Sequence, residues 1–482
     1  MNFGLPRKVL YFLVIFMLLS GFPGKPALAD LSIDAERKLG EQFLQAAFRH
    51  LRFVEDPEVT NFVDRVGQRL VEHLEVHTFP YQFYVVNSSV LNAFAAPAGH
   101  VFINRGLLEL MESEGELAAI LAHEIAHVQS RHIAHRMARS QKLSLAALGG
   151  MLAGLFLGGS AETSQAVITG TLAGTASLEL SYSRKDEEEA DRKGLRYLEA
   201  AGYHGSEMVS IMKKMGQQSW KAGGSIPTYL STHPGVPERL NYLASTLETR
   251  PESSGVTGEP AEDSQGFRMM QAKLLGEYRD ASEAEGLLRS WVDEPGSRVM
   301  GFYGLGLVQR RQGKMHEAVS SFRHAIALRP ELAPPLVELG ETYFQMGQVE
   351  KAVSALESAL SVEPNHAAAL YMLGRCLLQK GDTTKAREYL AAAAHLNDRL
   401  PWIHYHLGMA YGTLNQLEEA HYHFGIHHQR QGSWNSARFH YEEALRHAES
   451  PERREAIRKA LGQVKGEIRS VERQENTRTR RY

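Results

Sequence analysis

The chain has 482 residues, 43% of them hydrophobic and 23% charged, with a formal net charge of -3. That length exceeds one ordinary domain and that composition is globular, so two or more packed units are expected. So small a net charge excludes a general electrostatic field for nucleic acid or acidic membrane surfaces, and the locally basic end "TRTRRY" reads as solvated.

At the start, Arg7 and Lys8 precede an apolar run from Val9 to Leu19 and a "PALAD" stretch with small residues at Ala27 and Ala29. This is the pattern of a secretory signal cut between Ala29 and Asp30. The run is shorter than the roughly 18 residues a membrane span needs, which favours removal over anchoring. The one cysteine, Cys376, cannot form an internal disulfide and reads as buried packing; no cysteine stands at the cut to take a lipid.

Apolar residues recur at three and four through residues 34–75 (Leu39, Phe43, Ala46, Ala47, then Val63, Val66, Leu70), which predicts two helices. "YQFYVV", Tyr81 to Val86, is rich in strand formers. Pro97-Ala98-Gly99 separates two short apolar segments and predicts a hairpin with strands near Leu91–Ala95 and His100–Ile103. From Glu114 the helical period returns, with Leu117, Ile120, Leu121, Ile125 and Val128 on one stripe.

That helix carries His-Glu-x-x-His. His123 and His127 are four apart, so both rings project from one face and can share a cation, and zinc takes neutral imidazoles. Catalytic zinc sites use three protein ligands, so a third is needed. The adjacent Glu124 suits the general base that takes a proton from the water attacking a peptide carbonyl. The pattern HExxHxxGxxH does not supply the third ligand: position 130 is Ser130, position 133 is Ile133, and His132 falls one residue early. His132 reads as a helix-surface or hydrogen-bonding residue. A second helix, within "SYSRKDEEEADRKGLRYLEAAGY", offers Glu187, Glu188 and Glu189. Glu187 has Asp191 one turn on, facing the same way and able to accept the second N–H of a ligand histidine. Glu187 is therefore chosen as ligand and Asp191 as its support, with Glu189 as the alternative.

Between the motifs, Leu143 to Gly159 and Ala166 to Leu180 are apolar but rich in glycine. They are expected to be mobile amphipathic segments beside the site that touch lipid, the alternative being a membrane hairpin. Thr249 to Gly266 is Pro, Gly, Ser and acid, a linker. Beyond it Gly306, Gly340, Gly374 and Gly408 stand 34 residues apart, as do Ala318, Ala352, Ala386 and Ala420, and Phe322, Leu356, Leu390 and Phe424. That period, with small residues where two helices cross, is the tetratricopeptide pattern. The pattern restarts early at Gly425, Gly432 and Ala437, as if one helix served two half-repeats or capped the array, and residues 451–470 read as a charged capping helix.

"HEIAHV" and "SRKDEEEAD" together resemble the HtpX and BepA type of zinc metallopeptidases over roughly residues 35–245. The resemblance implies one zinc held by His123, His127 and Glu187, with Glu124 as base and Asp191 in support. "NAFAAPAGHVFINRGLL" and "THPGVPERL" are similar to further family segments. By that likeness the backbone of Asn92, Ala93, Phe94 and Ala95 offers itself to an extended substrate, and His233 and Arg239 lie near the metal. His233 would either gate the open position or stabilise an oxyanion.

The expected fold is mostly α: a gluzincin-like α+β zinc metallopeptidase domain, with helices and a small β-sheet, followed by an α-helical tetratricopeptide solenoid. The divisions are 1–29 signal, 30–248 peptidase, 249–266 linker, 267–450 repeats and 451–482 terminal helix and basic tail. The expected function is a zinc endopeptidase of the Gram-negative periplasm that degrades misfolded or stalled envelope proteins. The resemblance suggests outer-membrane barrel precursors and their assembly complex as partners, met through the repeats. Two other readings stand beside it: a repeat scaffold or chaperone with a gated protease site, and an inner-membrane protease if 143–180 forms a hairpin.

Overall fold

The computed structural model describes residues 31–139, 182–221, 227–249, 264–398, 400 and 402–479, so the signal, the apolar 143–180 stretch and linker residues 250–263 lie outside the described residues. The chain divides into two compact units: Met1–Glu55 with Thr60–Asp263, and Ser264–Tyr482 with Asp56–Val59.

The first unit contains α1 (Ile33–His50) and, from Thr60 on, α2 (Pro57–Val71), and builds a sheet from β1 (Gln82–Val86), β2 (Ala93–Ala96) and β3 (His100–Asn104). The expected hairpin is present as the antiparallel pair β2–β3. Its partner β1 runs parallel to β3, so β3 is central and β2 is an edge. β2 starts two residues later than expected because Leu91 O accepts instead from Tyr229 N, at 3.2 Å. Phe102 on β3 stacks between Tyr84 and Phe94, with centroids 4.8 Å away on each side, and Phe43 of α1 meets it edge-on at 5.8 Å. The tight turn depends on Gly99: its φ is +90°, and a Cβ there would lie 2.4 Å from Pro80 O.

Next come α3 (Arg105–Leu110), α4 (Glu114–Gln129), α5 (His132–Arg139), α6 (Arg184–Ala200), α7 (Ser206–Lys221), α8 (Thr228–Thr232) and α9 (Val236–Glu248). α4 starts at Ser113, whose hydroxyl accepts from Glu116 N at 3.1 Å, and it is buried on all sides from Glu114 to Val128. α6 starts with a capping box, Ser183 and Asp186 each accepting from the other's backbone N–H. It packs close on α4 because position 194 is glycine, where a Cβ would lie 3.1 Å from His123 N.

The second unit is a stack of antiparallel helices: α10 (Ser264–Tyr278), α11 (Ala281–Asp293), α12 (Arg298–Arg311), α13 (Met315–Leu328), α14 (Ala333–Gln345), α15 (Val349–Val362), α16 (Ala367–Lys380), α17 (Thr383–Leu396), α18 (Ile403–Thr413), α19 (Leu417–Arg430), α20 (Trp434–His447) and α21 (Pro451–Thr479). Gly306, Gly340, Gly374 and Gly408 each face the large residue of the 34-residue pattern, namely Phe322, Leu356, Leu390 and Phe424. α19 plays two parts: its Phe424 packs on Gly408, while the next residue, Gly425, receives Tyr441 of α20. Cys376 is fully buried in this core. Two boundaries differ from expectation. Ser264–Gly266 already form the first turn of α10, and the last helix continues to Thr479 rather than ending near 470.

Neutral histidine pairs bind the last repeats together: His404 Nδ1 lies 2.8 Å from His423 Nδ1, and His421 Nδ1 lies 3.0 Å from His440 Nδ1. Such a pair holds only while one ring accepts. Burial brings His404 and His440 down to about 4 and His423 to about 3, against 6.5 for a free ring. Below pH 6.5 the unfolded chain therefore takes up protons that the folded chain refuses, and stability falls with pH down to about 4. We expect the thermal midpoint to drop through that window, and a His404→Leu/His423→Leu variant to show a shallower dependence in calorimetry.

Candidate metal centre

Four side chains from three places converge. His123 and His127 stand on α4, Glu187 in the first turn of α6 and His233 at the end of α8, and one ligand atom from each lies within 4.8 Å of all the others. All four are at most 2% exposed. The two Nε2 atoms of His123 and His127 are 3.0 Å apart. His233 Nδ1 lies 3.3 Å from His123 Nε2 and 3.0 Å from Glu187 Oε1.

The proton positions follow from the partners. His123 Nδ1 is 2.8 Å from Asp191 Oδ1. A carboxylate only accepts, so Nδ1 carries a proton and Nε2 is the ring atom turned to the cluster. Asp191 is held by Arg239, which donates from Nε to Oδ2 at 2.7 Å and from a terminal nitrogen to Oδ1 at 2.6 Å. The other terminal nitrogen of Arg239 lies 2.6 Å from Glu187 Oε2, and Tyr242 also donates to Asp191. Aromatic rings close the sides. Tyr182 stacks on His127 with centroids 3.8 Å apart, and Tyr229 on His233 at 4.3 Å.

Glu124, Glu187 and Asp191 are each fully buried, and Arg239 is 4% exposed. Three carboxylates beside one guanidinium are a deficit of positive charge inside the protein, which is unfavourable unless other groups compensate it. The electrostatics show the same deficit. Burial opposes it, yet Asp191 and Glu187 bring His123 up to about 9. Burial pushes His127 well down. Glu187, despite burial, is held well below the usual carboxylate range by His233, His123 and His127. Both oxygens of Glu124 and the Nε2 of His233 have no hydrogen-bond partner among the described residues, and those two groups face each other at 3.6 Å. A divalent cation held by these residues would neutralise the deficit, so the donor set fits a metal of the kind that imidazole and carboxylate bind.

Of the residues chosen from sequence, His123, Glu124, His127, Glu187, Asp191, His233 and Arg239 lie in this one cluster. Glu189 does not: it is on the outer face of α6, accepting from Lys193 Nζ at 2.7 Å and from Ser130 Oγ at 3.0 Å. Asn92 is buried and Ala93, Phe94 and Ala95 lie on edge strand β2, which packs on α4. His132 is not on the helix surface; it is 5% exposed and bonds to His127. Tyr182, Tyr229 and Tyr242 were not anticipated. Tyr182 and Tyr229 follow no spacing rule from the motif helix, whereas Tyr242 stands three residues after Arg239 on α9, a spacing that shares a helix face.

Residues 57–247 match Peptidase family M48, and residues 301–332 and 337–401 match tetratricopeptide repeats. The chain is 32% identical over 256 residues to the beta-barrel assembly-enhancing protease of Yersinia pestis, covering 53% of this chain and 51% of that one. It is 28% identical over 311 residues to the protein of the same name in Escherichia coli K12, covering 64% and 62%. The mitochondrial metalloendopeptidase OMA1 of Arabidopsis thaliana is 32% identical over 181 residues, 38% of this chain and 34% of that one. The chain thus matches between a third and five-eighths of these relatives' lengths.

Arg239→Met would leave Asp191 and Glu187 buried without their guanidinium. Removing one partner of a buried pair costs about 3–5 kcal/mol, and we expect a loss of that size in denaturant unfolding of the metal-free protein.

Proposed function

We propose that this protein is a zinc-dependent endopeptidase of the Gram-negative cell envelope, exported by a signal cut after Ala29, that degrades misfolded or stalled envelope proteins. The observation that carries this reading is the buried cluster within the M48-matching residues, where His123, His127, Glu187 and His233 converge and Glu124, 3.6 Å from His233 Nε2, has both oxygens unsatisfied. In this reading His123, His127 and Glu187 hold the metal. Bound zinc would supply a Lewis acid that polarises the scissile carbonyl and acidifies water.

The remaining work belongs to the chain's own groups. Glu124 takes the proton from the attacking water and passes it to the leaving amine. Asp191, fixed by Arg239 and Tyr242, keeps the His123 proton on Nδ1 and the ring in place. Edge strand β2, beside α4, is where an extended peptide would add as a further strand through the backbone of Asn92 to Ala95. Recognition of backbone implies weak sequence preference. The repeats recruit substrate or an assembly machine, and the names of the Yersinia and Escherichia relatives support outer-membrane barrel precursors and their assembly complex in that role.

His233 favours a second, compatible reading in which the enzyme is closed for much of its life and the repeats act as a scaffold. Its Nδ1 is among the four convergent ligand atoms, whereas catalytic zinc sites keep one position open. We therefore assign His233 the gate rather than oxyanion stabilisation.

The test is digestion of an unfolded model protein by the full chain with and without chelator and added zinc. Cleavage should require zinc and fall about 10²- to 10⁴-fold in Glu124→Gln with metal retained. His233→Ala should keep its metal and cleave faster; slower cleavage with full metal would return His233 to oxyanion stabilisation. Zinc-loaded wild-type protein that never cleaves, while His233→Ala does, would establish the closed state.

A further inference from the structure

His123 has a carboxylate behind it, Asp191. His127 has instead another histidine. His127 Nδ1 lies 2.9 Å from His132 Nδ1, and His132 Nε2 lies 3.5 Å from Glu189 Oε2 and 3.8 Å from Asp186 Oδ1. Glu189 is anchored in turn by Lys193 Nζ at 2.7 Å and Ser130 Oγ at 3.0 Å.

A continuous helix would not make this contact, because residues five apart point about 140° away from each other. The chain instead breaks between α4 and α5. Arg131 adopts a left-handed φ of 51°, a conformation unfavourable for a side chain of that size, and Glu36 holds it there by accepting from Arg131 Nε at 2.8 Å. The corner carries His132 back over His127, where it is 5% exposed.

We propose that His132 is a positioning residue for the metal centre: it accepts the Nδ1 proton of His127, while its own Nε2–H donates toward the Glu189 carboxylate. Each proton in the row is thereby assigned. Glu189 only accepts, so His132 is protonated at Nε2 and has a lone pair at Nδ1. His127 then donates from Nδ1 and turns the lone pair of Nε2 toward His123 and Glu187. The row does for His127 what Asp191 does for His123, and it gives the outward-facing glutamate of the "DEEEAD" run a task. This inference rests on the metal-site reading above, and groups that orient ligand histidines typically account for 10- to 100-fold in metal affinity.

The test is metal binding by the full chain stripped of metal, with zinc titrated against a chromophoric chelator and cobalt(II) absorption reporting ligand geometry. The His132→Asn substitution is deliberately conservative, since an asparagine Oδ1 falls where His132 Nδ1 was and still accepts. His132→Leu should bind zinc 10- to 100-fold more weakly with an altered cobalt spectrum. His132→Asn should retain nearly wild-type affinity and spectrum. Glu189→Leu should weaken zinc less than His132→Leu, because Asp186 remains near. Unchanged affinity in His132→Leu, or His132→Asn as weak as His132→Leu, would overturn the proposal. If His132→Leu does not fold, the comparison of His132→Asn and Glu189→Leu with wild type decides: wild-type spectra and affinities in Glu189→Leu remove the outer half of the row, and a weak His132→Asn removes the inner half. Wild-type protein that binds no zinc in a manner lost by His123→Ala would instead sink the metal-site reading itself.

Discussion

The Arg239 guanidinium grips Asp191 at 2.6 and 2.7 Å and touches Glu187 at 2.6 Å, inside a cluster where Glu124, Glu187 and Asp191 are all fully buried. An ionised carboxylate without a partner is intolerable at such depth. One fixed cation compensates one of the three, and a divalent metal is the natural complement for the rest. The geometry of the peptidase unit answers this constraint. α4 must be enclosed to keep water from the site, α6 must come close enough to hand over two carboxylates, and α9 must supply the arginine from the far side. Gly194 permits the close approach of α6 to α4, and the capping box at Ser183 fixes where α6 begins, so that Glu187 falls in its first turn.

Catalytic potential and restraint share the same atoms. Both oxygens of Glu124 lack a hydrogen-bond partner among the described residues, which suits the base proposed above. His233, clamped by the Tyr229 ring and the His233 N to Tyr229 O bond of 2.9 Å, sits at the end of the short α8, and Gly235 with φ of +84° follows two residues later. Of the four donors, His233 alone is mounted at the end of a five-residue helix rather than on α4 or α6, which is the physical ground for the gate proposed above.

The repeats obey a different rule. Each glycine in the 34-residue column admits one large ring or leucine, and this lock repeats along the array with few demands on the surface. Their stability is accordingly spread over neighbouring interfaces.

The sequence by itself determined whatever depends on spacing along one helix or one repeat. His123, Glu124 and His127 are tied by the helical period, Glu187 and Asp191 by one further turn, and the repeat helices by small and large residues recurring every 34 positions. The choice between Glu187 and Glu189 was made on that ground, and the structure places Glu187 inside and Glu189 outside because only the face shared with Ala190, Gly194 and Leu198 can pack on α4. Tertiary structure alone decided what crosses between elements. The parallel pairing of β1 with β3, the arrival of Tyr182 and Tyr229 as ring walls, and the fold-back of His132 over His127 depend on chain reversals. Gly99, Arg131 and Gly235 stand at left-handed φ in connections between elements. A reversal joins residues whose separation in sequence has no relation to their separation in space, so no periodicity records the contact.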